Sequence, residues 1–165
     1  MALYVIKGPS AIGFENETSP MGHIVFYPGT VVDDTTFPVI KQFARFGKLE
    51  PFTSVKDHVL KNPGCRVGLV RTYALGDVLI LHAVAKFLQR TFPQSTFDIL
   101  TAHRLVEAFS GSEIGVQNWK PDLPGFNIIF MLDGCLERDH DGGDLSYMHR
   151  VDIYLKALGW SKWSP

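Results

Sequence analysis

Arg66-Val67-Gly68-Leu69-Val70-Arg71-Thr72-Tyr73-Ala74-Leu75-Gly76-Asp77-Val78-Leu79-Ile80-Leu81 is the stretch whose reading decides the fold. Its first six residues follow a Pro63-Gly64 turn and form the short apolar run of a buried strand. Residues 72–76 read as a connecting loop, after which Asp77 opens a helix running to about Phe92. Val78, Leu79, Ile80, Leu81, Ala83, Val84 and Ala85 make its first turns apolar nearly all round, the pattern of a helix lying on a sheet and covered by a second layer. Lys86, Gln89 and Arg90 turn its end polar, and Pro93 stops it.

Downstream, residues 95–101 form a second expected strand and 104–109 a short helix. A third strand is expected over 126–132. The closing helix, 148–158, places Val151, Tyr154, Leu155 and Leu158 on one face. Strand and helix alternating in this order predict an α/β domain over 61–165 with a largely parallel sheet. Upstream, the grammar changes. Residues 1–60 carry turn formers at Gly8-Pro9, Ser19-Pro20 and Tyr27-Pro28-Gly29, separated by short β-prone runs over 3–6, 23–27 and 30–32. They predict a small β-rich module, a hairpin or minimal barrel. Its one short helix starts at Asp34 or Thr35, carries Phe37, Ile40, Phe43, Ala44 and Phe46 at helical spacing, and stops at Gly47. About sixty residues is marginal for independent folding, so this module is expected to pack on its neighbour or on a partner chain.

The 165 residues are 45% apolar and 20% charged, with 16 basic against 17 acidic side chains. A formal charge of −1 excludes a broadly basic nucleic-acid surface. No apolar run reaches the ~18 residues of a membrane span, and residues 1–7 make a poor secretory signal. Cys65 and Cys135 are too few for a disulfide framework and read as reduced thiols. No phosphate-binding glycine fingerprint and no nucleophile elbow occurs. The polar loop 133–144, with Asp139, Asp141 and Asp144 about a Gly pair, fails the calcium-loop template and reads as a solvated turn. No metal and no cofactor is expected. Phe37, Phe43, Phe46, Trp160 and Trp163 are the candidates for a contact surface. Packing within the domain is the competing reading for each.

The string from Arg71 to Leu79, the helix end Arg90-Thr91-Phe92-Pro93, the strand 97–100 and the segment 149–160 occur in order. Together they resemble the N-terminal domain of the heptosyltransferase-like glycosyltransferases, family 9, over about residues 66–160. The resemblance implies a Rossmann-like half of a two-domain fold. It implies that Asp77 is a general base on an acceptor hydroxyl, with Thr72, Tyr73 and Gly76 in the acceptor loop. A nucleotide-sugar would then be held by a donor domain, and this chain ends at Pro165 about where that domain begins. Two further departures are a shortened 133–149 region and Ala83 in place of the family's helix proline. Residues 1–60 resemble small modules of bacteriophage structural proteins in Tyr27-Pro28-Gly29, Val31-Val32-Asp33-Asp34 and Gly47-Lys48-Leu49-Glu50-Pro51.

Two functional expectations follow. In the first, a degenerate sugar-transferase half serves as a non-catalytic structural or interaction block. It assembles with other protein chains, in the cytoplasm or in a virion if phage-encoded. In the second, the chain is a glycosyltransferase component and another chain brings the nucleotide-sugar site. An aspartate at a helix start also reads as a cap for exposed N–H groups, and Gly76 reads as serving backbone geometry either way.

Overall fold

A computed structural model describes residues 2–8, 11–15, 23–34, 39–44, 46–133 and 149–160. Four short strands come first: β1 (Leu3–Ile6), β2 (Ile12–Glu15), β3 (His23–Phe26) and β4 (Thr30–Asp33). Helix α1 (Ile40–Ala44), β5 (Leu49–Phe52) and α2 (Val55–Lys61) follow. Then come β6 (Arg66–Val70), α3 (Leu75–Thr91), β7 (Thr96–Thr101), α4 (His103–Val106), β8 (Val116–Asn118), β9 (Ile128–Met131) and α5 (Arg150–Ala157).

One seven-stranded sheet has the order β5-β1-β4-β9-β6-β7-β8, and β2 and β3 pair as a separate hairpin. Strands β4, β9, β6, β7 and β8 run parallel. Only β1 opposes them, antiparallel to both β4 and β5. The architecture is the mostly parallel, Rossmann-like α/β sheet that the alternation of strands and helices predicts.

Strand alternation sorts the residues into two faces. Val5, Val31, Val67, Leu69, Phe97, Ile99, Ile128 and Phe130 join one buried cluster with Val55 and Val59 of α2, Val78, Leu81, Val84, Ala85 and Leu88 of α3, and Ile153, Tyr154 and Leu155 of α5. On the opposite face, Ile6 and Val32 pack with Ile12 and Phe26 of the hairpin and Ile40 of α1. Further along that face, Val70, Leu100 and Ile129 are covered by Trp119, Leu123 and Phe126. Gly68 belongs here: a Cβ on it would lie 2.7 Å from Leu100 Cδ1 and 3.2 Å from Phe126 Cδ1. A methyl group at this position of β6 would therefore force Leu100 and Phe126 to shift.

Residue 60 does not interrupt the sheet. Three strands from residues 1–60 belong to it, and β4 joins β9 in parallel register, Thr30 to Ile129 and Val31 to Phe130. The N-terminal segment does keep a small core of its own under the hairpin. Sequence reading left β2, α2 and β8 without an element. Ser54 starts α2 by accepting the Asp57 N–H at 3.0 Å, a cap that contributes about 1 kcal/mol.

Two expectations about apolar surfaces change. The outer side of α3 is not fully covered: Leu75 and Leu79 are exposed, while α5 packs along one flank only. Phe46 is 73% exposed rather than a core residue, because it sits in the turn beyond α1. Gly47 closes that turn at φ +66°, a conformation that favours glycine. Phe43 is partly buried against the small N-terminal core. Trp160 packs edge-on to Phe92 at 5.8 Å and lies under Lys56. Phe37, Trp163, Cys135 and residues 134–144 of the polar loop lie outside the described residues. Among the described residues no helix is long and apolar enough to cross a membrane.

Candidate functional site

After β6 the chain builds outward through α3 to β7 and then β8, and it returns on the other side of β6 as β9. Strand order therefore reverses between β6 and β9. In open α/β sheets the ligand crevice lies beyond the carboxyl ends of the strands at such a reversal. The segments leaving those two ends carry Arg71, Thr72, Tyr73 and Asp77 on one side and Asp133 on the other.

Asp77 does not cap α3. The helix begins at Leu75, its N-cap is Ala74, and no side chain makes the cap hydrogen bond. Asp77 is the third helical residue, where a carboxylate suits the helix dipole, and it points into the protein. Its Oδ2 accepts from Arg71 Nη2 at 2.7 Å and its Oδ1 accepts from Arg150 Nη1 at 2.6 Å. Arg71 is fully buried, whereas Arg150 is half exposed. Both carboxylate oxygens thus hold guanidinium donors, which ties the β6–α3 loop to the start of α5. Tyr154 of α5 adds a long hydrogen bond from its hydroxyl to the Asp77 carbonyl, 3.5 Å.

Asp133 fastens the other side. It accepts the Thr72 N–H at 2.8 Å and the Thr72 hydroxyl at 2.6 Å. Arg71 Nη1 lies 4.0 Å from Asp133 Oδ1, and the Arg71 guanidinium stacks over the Tyr73 ring at 4.3 Å. Two guanidiniums face two carboxylates, so the described cluster carries no excess positive charge for a phosphate. Among the described residues no group of three His, Cys, Asp or Glu side chains is placed to hold a metal ion.

The backbone supplies a surprise at this turn. Gly76 is an ordinary, exposed helical residue with open space where a Cβ would go. The unusual conformation falls two residues earlier. Ala74, at φ 62° and ψ 93°, is the only non-glycine residue with positive φ among those described. The chain must turn sharply from β6 into α3, and Ala74 absorbs that turn at a cost of about 1–2 kcal/mol.

Of the sequence-derived site residues, Thr72, Tyr73 and Asp77 come together and Gly76 adjoins them. Phe43, Phe46 and Trp160 lie elsewhere. Sequence reading did not single out Arg71, Asp133 or Arg150. The available signal was a charged residue at the inner end of an apolar strand, since a buried Arg needs a partner. Comparison with protein-family models, with curated proteins and with solved structures finds no match to this chain.

Proposed function

We propose that this chain is a non-catalytic interaction protein, a sugar-transferase-like half domain used as a rigid α/β block within a larger protein assembly such as a virion. The observation that carries this reading is the engagement of both Asp77 oxygens by Arg71 and Arg150. A general base must present a lone pair to the substrate hydroxyl. Here each oxygen already accepts from a guanidinium and the side chain is buried, so the carboxylate holds a loop and a helix together and presents little of itself to a substrate. The exposed Tyr73, Leu75 and Leu79 beside it suit contact with another chain better than a wet catalytic crevice. Phe46 offers a second exposed aromatic, in the turn after α1.

A second reading has its own support. Asp77 stands at the carboxyl end of β6, next to the reversal of strand order, where sheets of this kind bind ligands. In that reading the chain supplies an acceptor site, and a donor domain on another chain brings the nucleotide-sugar. The experiment that separates the two uses the double variant Arg71→Met/Asp77→Leu, which replaces the ion pair with apolar volume. If the chain is an interaction block, the variant folds and enters the native assembly as the unaltered protein does. If it is an enzyme component, the assembly turns over nucleotide-sugar and the variant loses that turnover.

A further inference from the structure

The two edges of the seven-stranded sheet are built differently. At the β5 edge, the Lys7 N–H donates to the Lys48 carbonyl at 2.9 Å, and the β1–β5 register carries that alternation along both strands. Glu50 and Phe52 therefore turn their backbone groups toward β1, while Leu49 and Pro51 turn theirs outward. Pro51 has no N–H to offer, and the Lys7–Glu50 ion pair places charge beside it. Proline and charge are features that keep an edge strand from pairing with another chain.

Strand β8 forms the other edge and has neither. Val116-Gln117-Asn118 contains no proline and no charge. The Gly115 carbonyl accepts the Ile99 N–H at 2.8 Å, and the Trp119 N–H donates to the Thr101 carbonyl at 2.7 Å. Residues 115, 117 and 119 thus face β7, and Val116 and Asn118 point both their N–H and their C=O outward. Among the described residues these outward groups meet no hydrogen-bond partner. The strand is also held from one face, where Gln117 Nε2 donates to the buried Asp98 carboxylate at 3.1 Å. An unprotected edge is therefore presented in a fixed conformation.

We propose that β8 pairs with β8 of a second copy of this chain, antiparallel about a two-fold axis at Gln117, so that two sheets join into one. The register follows from which groups point outward. In an antiparallel pair, residues directly opposite can exchange both N–H···O bonds. With Gln117 opposite its own copy, Val116 of each chain lies opposite Asn118 of the other, and every outward group of both strands is bonded. An axis at Val116 would set Asn118 opposite Ile114, whose N–H is already held by Ser112 Oγ at 3.0 Å. An axis at Asn118 would set Val116 opposite Lys120, beyond the strand. Charge agrees with the Gln117 register. The nearest charged residues are Glu113 before the strand and Lys120 after it, both exposed. Antiparallel pairing brings the Glu113 end of each copy to the Lys120 end of the other. A self-complementary edge of this kind closes as a dimer. The pairing does not depend on the role of Asp77.

The test is sedimentation velocity of the purified full chain over a range of concentrations. A species of twice the 18.5 kDa of one chain is expected, with a Kd of about 10 μM to 1 mM for so short a contact. Val116→Pro removes an outward N–H and no bond of the β7 ladder. It should weaken the dimer at least about tenfold while circular dichroism stays unchanged. Two further measurements locate the contact even if that variant misfolds. In Gln117→Cys the paired Cα atoms lie about 4.5 Å apart, within disulfide reach, so mild oxidation should give a covalent dimer. Val116→Cys, about 8–9 Å from its copy in this register, should give no more than the unaltered chain with its Cys65 and Cys135. Hydrogen exchange at the Val116 and Asn118 amides should slow as concentration rises, while that at Gln117 stays constant. The proposal is overturned if the chain remains monomeric up to about 1 mM, or if folded Val116→Pro dimerises as the unaltered chain does. A dimer that neither cross-links through Gln117→Cys nor protects those two amides overturns it equally.

Discussion

Replacing Asp77 with asparagine removes one charge and keeps the shape, so its effect reads the ion pair almost alone. In the folded protein Arg71 is fully buried and its guanidinium rests on this carboxylate. Removing one partner of a buried pair costs about 3–5 kcal/mol, because the other charge is left uncompensated. Asp133 at 4.0 Å and the Tyr73 ring at 4.3 Å offer Arg71 partial compensation, which places the expected loss near the lower end, about 3 kcal/mol. In a chain of this size each kcal/mol lowers Tm by about 2–4 °C, so calorimetry should record a drop of about 6–12 °C. Arg150→Ala should cost only about 0.5–1 kcal/mol, since that arginine is half exposed. The double variant Arg71→Met/Asp77→Leu should recover most of the stability lost by either single change. A Tm for Asp77→Asn within about 2 °C of the unaltered protein would refute the assignment of Asp77 as a structural tie. Removal of a catalytic group is commonly neutral or even stabilising.

Other outcomes follow from the same geometry. Ala74→Gly should raise stability by about 1 kcal/mol, because glycine adopts the positive φ without the side-chain clash; denaturant titration reads this directly. Gly68→Ala should lower it by about 1–3 kcal/mol, since its new methyl meets Leu100 and Phe126 in the packed face. Burial and the charge of Lys86 hold His82 below its ordinary value, with Glu113 opposing, and burial and Lys7 do the same for His58. The folded protein therefore binds fewer protons than the unfolded chain once pH falls below about 6.5. Stability should decline as pH drops from about 7.5 toward 5.5, and both rings should titrate below 6.5 by NMR. A flat stability profile across that window would contradict the burial of these rings.

The strands of the sheet were largely legible because alternation and turn residues report burial directly. Arg66–Val70 and Thr96–Thr101 each sit between a turn signal and a helix, and they fold within a residue of where the pattern places them. What the sequence concealed was pairing. Nothing local tells Val31 that its neighbour is Phe130, almost a hundred residues away, so the joining of the N-terminal strands to the sheet could not be read from either segment alone. Helix α2 was missed because only Val55 and Val59 are buried, too few to set a period. Asp77 could be placed at the carboxyl end of a strand, but its partners could not. Arg71 lies six residues away and Arg150 seventy-three, and only the fold brings the second one in. The strain at Ala74 was equally hidden, because an alanine in a turn carries no compositional warning and Gly76, two residues on, drew the expectation instead.

The reading of this chain as an interaction block is tested most directly by the native mass of the full protein isolated from its source, measured by light scattering on the eluting species. The account predicts a stable stoichiometric complex well above the 18.5 kDa of one chain, retained when Arg71→Met/Asp77→Leu replaces the ion pair. A monodisperse 18.5 kDa species with no associated chain, or a complex whose nucleotide-sugar turnover vanishes with Asp77, would contradict it.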